Sequence, residues 1–165
     1  MCRIMKISPM SDQYDITELY RLLANLIRIG TIEEADYQKA LVRVKSGEQL
    51  TGWIPWITRR ASKDADWWAP EIGEQVILLS PCGDPSQAVS LPAIYQKKHP
   101  PPEDRETIQK TTFDDGAWCS YDREAKKMSF FTPGDIEINA GGEVKIKAVG
   151  NMWLDAAHIH WNLGG

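Results

Sequence analysis

The chain has 165 residues, 42% hydrophobic and 25% charged, with 12 Gly, 10 Pro and a net charge of −4. That length fits one domain, or one small domain with an appendage, and the composition excludes collagen-like and fully disordered chains. Residues 1–96 carry 10 basic and 12 acidic groups, 97–134 carry 7 of each, and 135–165 carry 2 and 4; with no basic block, nucleic acid is not an expected partner. No stretch approaches the roughly 18 apolar residues that span a bilayer. Met1 to Met10 has neither a long apolar core nor a cleavage site, so synthesis in the cytoplasm without a signal peptide is expected. Cys2, Cys82 and Cys119 are scattered, odd in number and without a CxxC pair, which signals neither a disulfide framework nor a cysteine zinc site.

Residues 1–11 read as a leader. From Asp12, Ile16, Leu19, Leu22, Leu23, Leu26 and Ile27 recur at three- and four-residue steps, with Gly30 as a stop. This predicts one amphipathic helix over about residues 13–28, within an N-terminal segment 1–30. Strand-like runs follow at Thr31–Ala35, Ala40–Lys45, Trp53–Thr58, Glu74–Ser80 and Ala88–Tyr95. Turn signals at Ser46-Gly47, Pro70 to Gly73 and Pro81 to Pro85 separate them. Short strands at this density predict a small antiparallel barrel over 31–96. Residues 97–106 (KKHPPPEDRE) read as a stiff proline-rich linker that includes His99. Residues 107–131 read as further strand, with turns at Asp114-Asp115-Gly116 and Asp122 to Lys126.

From Asp135 the chain repeats in blocks of eight: DIEINAGG, EVKIKAVG, NMWLDAAH, IHWNLGG. Ile136, Val144, Met152 and His160 share one position; Ile138, Ile146, Leu154 and Asn162 share another; Ala140, Ala148, Ala156 and Gly164 a third. Self-similarity at a fixed period outranks single-residue signals. Even-numbered positions are apolar or small, and the odd ones begin polar with Asp135, Glu137, Asn139, Glu143, Lys145 and Lys147. Such alternation is a strand with one buried face. About thirty such residues cannot make a core alone. Either several chains wind together with the even face toward a common axis, as a trimeric β-helix, or the segment is a hairpin packed on the barrel.

His158 and His160 are two apart, so they lie on one face of a strand, and they share the even phase. Three chains about a threefold axis would offer six imidazoles, which suits an octahedral transition metal better than four-coordinate zinc. Buried imidazoles without partners are costly, and a metal would satisfy them.

The chain resembles a known family, the phage baseplate assembly protein V, the central spike of contractile-tailed phages and tailocins. The carriers are LANLIRIGTIEEADYQKALVRVKSG (23–47), WIPWITRRA (53–61), DWWAPEIGEQVILLSPCGD (66–84) and QAVSLPAIYQ (87–96), followed by the linker and a Gly-punctuated repeat ending in HIH. The resemblance implies a mainly all-β fold: an N-terminal helix, an OB-fold barrel, and an intertwined trimeric triple-stranded β-helix spike over 107–165. It implies one iron ion per trimer at the axial tip, held by His158 and His160 of three chains. The implied role is mechanical, not enzymatic. The spike would cap the tail tube in the virion baseplate and puncture the host outer membrane on contraction. The helix and barrel would serve trimerisation and docking to the hub or tube. Two departures stand out. The shaft is short, and Trp153, Ile159, Trp161 and Leu163 are apolar in the outward phase. Because exposed apolar patches favour aggregation, the last turn is expected to fold back over them; presentation to a membrane interface is the alternative.

Trp53, Trp56, Trp67 and Trp68 are expected to pack the core or contacts between protomers, with a carbohydrate- or single-strand-binding platform as the alternative. A metal-dependent enzyme would need Asp155 beside His158 and His160, but Asp155 is odd-phase. No GxSxG, HExxH or phosphate loop occurs. The acidic pair Asp114-Asp115 is read as turn-forming.

Overall fold

The computed structural model describes residues 12–160. Two units meet at Pro101/Pro102. The first opens with helix α1, Asp12–Leu26, which runs directly into strand β1, Ile27–Asp36. The helix thus ends two residues before the expected position. Ile27, Arg28 and Ile29 continue the helical spacing, but they pair antiparallel with Leu79, Leu78 and Ile77, and the ladder takes them. Gly30 is accordingly not a helix stop. It lies inside β1, where a Cβ would stand 2.5 Å from Val44 Cγ1 and 2.7 Å from the Lys45 carbonyl oxygen. Glycine is needed there for close strand approach.

The remaining strands of this unit are β2 (Leu41–Ser46), β3 (Gln49–Leu50), β4 (Ile54–Pro55), β5 (Gln75–Leu79) and β6 (Val89–Ile94). The order is β3-β2-β1-β5-β6, and β4 also pairs with β2. Of the expected strand Trp53–Thr58, only Ile54–Pro55 forms ladder, and Pro55 has no N–H to donate to it. A parallel bridge from Trp56 to Ser90, with Ile57 N–H donating to Ser90 O at 2.7 Å, ties this edge to β6 and closes the barrel. A register shift in β1 between Ile32 and Glu34 rephases the strand, as bulges do at barrel bends.

Alternation fills the barrel. Val42 and Val44 of β2, Val76 and Leu78 of β5, Ile32, Ile54 and Ala88 form the buried core, with Ala35 and Trp56 packed against it. Two 3-10 turns, Pro81–Gly83 and Pro85–Gln87, connect β5 to β6. Asp84 caps the second by accepting from Ser86 N–H at 2.9 Å, which holds its carboxyl below the usual carboxylate range. Cys82, in the left-handed region of the first turn, is disulfide-bonded, which the scattered cysteines did not signal. Cys119 is free and exposed.

The second unit contains a three-stranded meander, β7 (Ile108–Thr112), β8 (Trp118–Asp122) and β9 (Lys127–Phe131). Its turns carry the expected acidic residues. Asp115 accepts from Ala117 N–H, and Asp122 from Glu124 and Ala125 N–H. No residue from 102 to 160 is buried. After Phe131 the described chain forms neither helix nor strand ladder. Bends recur there at 133–134, 141–142, 149–150 and 157, an eight-residue spacing that matches the sequence repeat.

Candidate functional site

The even-phase apolar residues of the repeat are uncovered within the chain. Ile136, Ile138, Val144, Ile146, Met152 and Leu154 are all exposed, Ile138 to 71%. Covering six aliphatic side chains would gain on the order of 1 kcal/mol or more each. The bends fall at Pro133-Gly134, Gly141-Gly142 and Val149-Gly150, each separated from the next by six residues.

His158 and His160 stand at the end of this segment. Their rings lie side by side, with centroids 6.3 Å apart and planes at 43°. Both are exposed. Among the described residues no group of three His, Cys, Asp or Glu side chains could hold a metal within one chain, and Asp155 is not drawn to the pair. Two neutral imidazoles are borderline donors suited to a first-row transition metal. One chain supplies only two of them, so the donor set fits a metal when several chains converge.

Among the outward-phase residues, Trp153 is 85% exposed and Ile159 is also open. The expected fold-back falls on the final residues of the chain, outside the described residues. Trp161 and Leu163 lie outside them.

The tryptophans divide. Trp56 packs against the barrel core, and Trp67 meets it edge-on at 5.5 Å. Trp53, Trp67 and Trp68 are exposed, so the core-packing expectation applies to Trp56 alone. Trp53 carries the Arg43 guanidinium 5.9 Å above its ring, and Arg43 is held by Glu34 at 2.7 Å and the Thr51 carbonyl at 3.1 Å. Beside it opens a cavity of about 520 Å³, bordered by Asn25, Arg28, Gln49, Leu50 and Trp53. Arg28 bonds the Ser46 carbonyl and Gln49 there. Sequence reasoning missed this groove because its residues come from four separated segments with no motif in common.

The family model for the Type VI secretion system/phage-baseplate injector OB domain matches residues 28–95, the span from β1 through β6. The chain is also 36% identical over 157 residues to the spike protein of Escherichia phage P2, an alignment covering 91% of this chain and 74% of that protein. The alignment reaches well beyond the barrel into the meander and repeat. With that identity and coverage, the chain belongs to the phage baseplate assembly protein V family of baseplate spikes.

Proposed function

We propose that this protein is the central spike of a contractile-tail baseplate, working as a homotrimer. In this reading it resides in the virion baseplate, caps the tail tube, docks to hub or tube proteins through its N-terminal region, and punctures the host outer membrane when the sheath contracts. The observation that carries the reading is the eight-residue repeat. Its bends recur in register with the sequence period while its apolar phase stays uncovered in one chain. Three such strands wound about an axis would bury that phase and supply each other with the ladder hydrogen bonds that each lacks alone.

Puncturing needs a shaft that does not unravel under axial load. Chains that wrap one another cannot peel off singly. His158 and His160 of three copies would hold one iron ion at the tip, and the ion would supply a cross-link rather than a reaction. Because binding requires the assembled trimer, the metal adds stability by linkage. The exposed Trp153 near this end supports contact with the membrane interface, where tryptophan is favoured.

One purified sample tests the proposal. Light scattering is expected to give three chains per particle, and elemental analysis one metal per three chains, lost in His158→Ala/His160→Ala. A stable monomer overturns the spike reading. Full metal content in the double variant overturns the axial site. One metal per chain would instead favour an enzyme-like His/His/Asp centre.

A further inference from the structure

The face that α1 turns to the barrel is not its most apolar one. Glu18, Leu22 and Asn25 are half-buried, and Leu22 is seated on Gly83. Ile16, Leu19, Leu23 and Leu26 are left 47%, 56%, 53% and 37% exposed. Their spacing of three, four and three residues places them at the a and d positions of two successive heptads. Ile27 and Ile29, which follow in sequence, are exposed on the outer face of β1.

We propose that this stripe packs against the same stripe of two further copies of the chain, as a short parallel helical seam about the trimer axis. The inference rests on the trimer proposed above. A threefold rotation carries each helix onto the next in the same direction along the axis, and an a/d stripe is self-complementary in that arrangement. The stripe exposes on the order of 500 Å² of apolar surface, the size of the largest patch on a typical monomer, which is often a functional contact. That is less than the roughly 800 Å² per partner of a standard interface. A 15-residue helix is also short for autonomous association. The size therefore fits a seam between chains already tethered elsewhere, where the effective concentration is about millimolar. The wound shaft would be that tether.

The test is cross-linking of the full chain in a Cys119→Ser background. Leu23→Cys lies on the stripe; Ala24→Cys is exposed on α1 but off it. A short bismaleimide is added, and cross-linked species are read on a denaturing gel while light scattering gives the mass of the same sample. The seam predicts cross-linked dimers and trimers from Leu23→Cys, at least about tenfold above Ala24→Cys, as expected for tethered neighbours. A trimer with no cross-link, or with equal yield at both positions, overturns the seam and leaves the shaft reading standing. A monomer overturns both. Cross-links formed only to another baseplate protein in assembled particles would assign the stripe to that partner and overturn the seam.

Discussion

Gly83 lies hard against the backbone of Leu22: a Cβ at position 83 would stand 2.7 Å from Leu22 Cα and meet the Leu22 carbonyl. This contact seats α1 on the turn between β5 and β6. Gly83 also has φ +70, a conformation that L residues adopt at a cost. Gly83→Ala therefore carries both strain and a backbone clash, and is expected to destabilise the chain by about 2–4 kcal/mol. Gly116→Ala separates the two effects, because Gly116 has φ +88 and nothing within 4 Å of its ideal Cβ. Its cost should stay near about 1 kcal/mol. Thermal melts followed by circular dichroism compare them, and equal losses would refute the contact as the cause.

Gly30 makes a second kind of demand. Its ideal Cβ meets a side chain, Val44 Cγ1 at 2.5 Å, and a main-chain oxygen, Lys45 O at 2.7 Å. Gly30→Ala should cost about 1–3 kcal/mol by overpacking. Adding Val44→Ala removes the movable obstacle, so the double variant should lose less than the sum of the singles, by at least about 0.5 kcal/mol. Chemical denaturation of the four chains of the cycle measures the coupling. Strict additivity would mean that the carbonyl alone blocks the position.

Much of this architecture was legible because alternation and turn chemistry agree locally. Val42 and Val44 alternate with Arg43 and Lys45, and they are buried in that phase. Asp115-Gly116 and Asp122 to Lys126 turn the meander where their residue types demand it. The helix end was misplaced because Ile27 and Ile29 satisfy both the helical period and the outer face of a strand. Only the pairing of β1 with β5, a contact fifty residues apart in sequence, decides between them. The repeat was visible as a period of eight, and the bends fall on it. What covers its apolar phase is a relation between chains, which one chain's residues imply only through the surface they leave bare. The groove beside Trp53 was invisible for a similar reason, since Arg28, Gln49 and Trp53 meet only after the barrel closes.

Glu74 gives the barrel a pH dependence. Burial pushes its carboxyl above the ordinary range. The nearby Glu71 carboxylate acts in the same direction, while the bond from Glu71 N–H and the charge of His99 oppose the shift. A carboxyl raised in the folded state binds its proton more tightly there than in the unfolded chain. Its favourable contribution is thus present below the unfolded value of 4.5 and is lost as pH rises through the folded value. At pH 7 the ionised Glu74 is a net cost. Glu74→Gln keeps an oxygen for Glu71 N–H and should be more stable than the parent at pH 7, by under about 1 kcal/mol given partial exposure. The advantage should disappear below about pH 4. Denaturant midpoints across pH 3.5–8 read it directly, and a gap that widens toward acid would contradict the assignment.

The last prediction concerns phase in the shaft. If the even face turns to a shared axis, a charge placed there is replicated by symmetry into three charges in one narrow interior. Desolvation costs several kcal/mol per ion, and like-charge repulsion adds to it. Ile146→Asp should abolish the trimer or lower its melting temperature steeply, and Ile138→Asp should do the same one block earlier. Lys147→Ala, one residue away in the outward phase, removes a charge from a solvated position and should leave mass and melting temperature almost unchanged, within about 0.5 kcal/mol. Were the segment instead a hairpin packed on its own barrel, Ile146→Asp would destabilise a monomer and the parent would never scatter as three chains. Size-exclusion chromatography with light scattering on the parent and these three variants separates the two arrangements. The contrast between positions 146 and 147 carries the result, because adjacent residues share every property of the segment except the face they present.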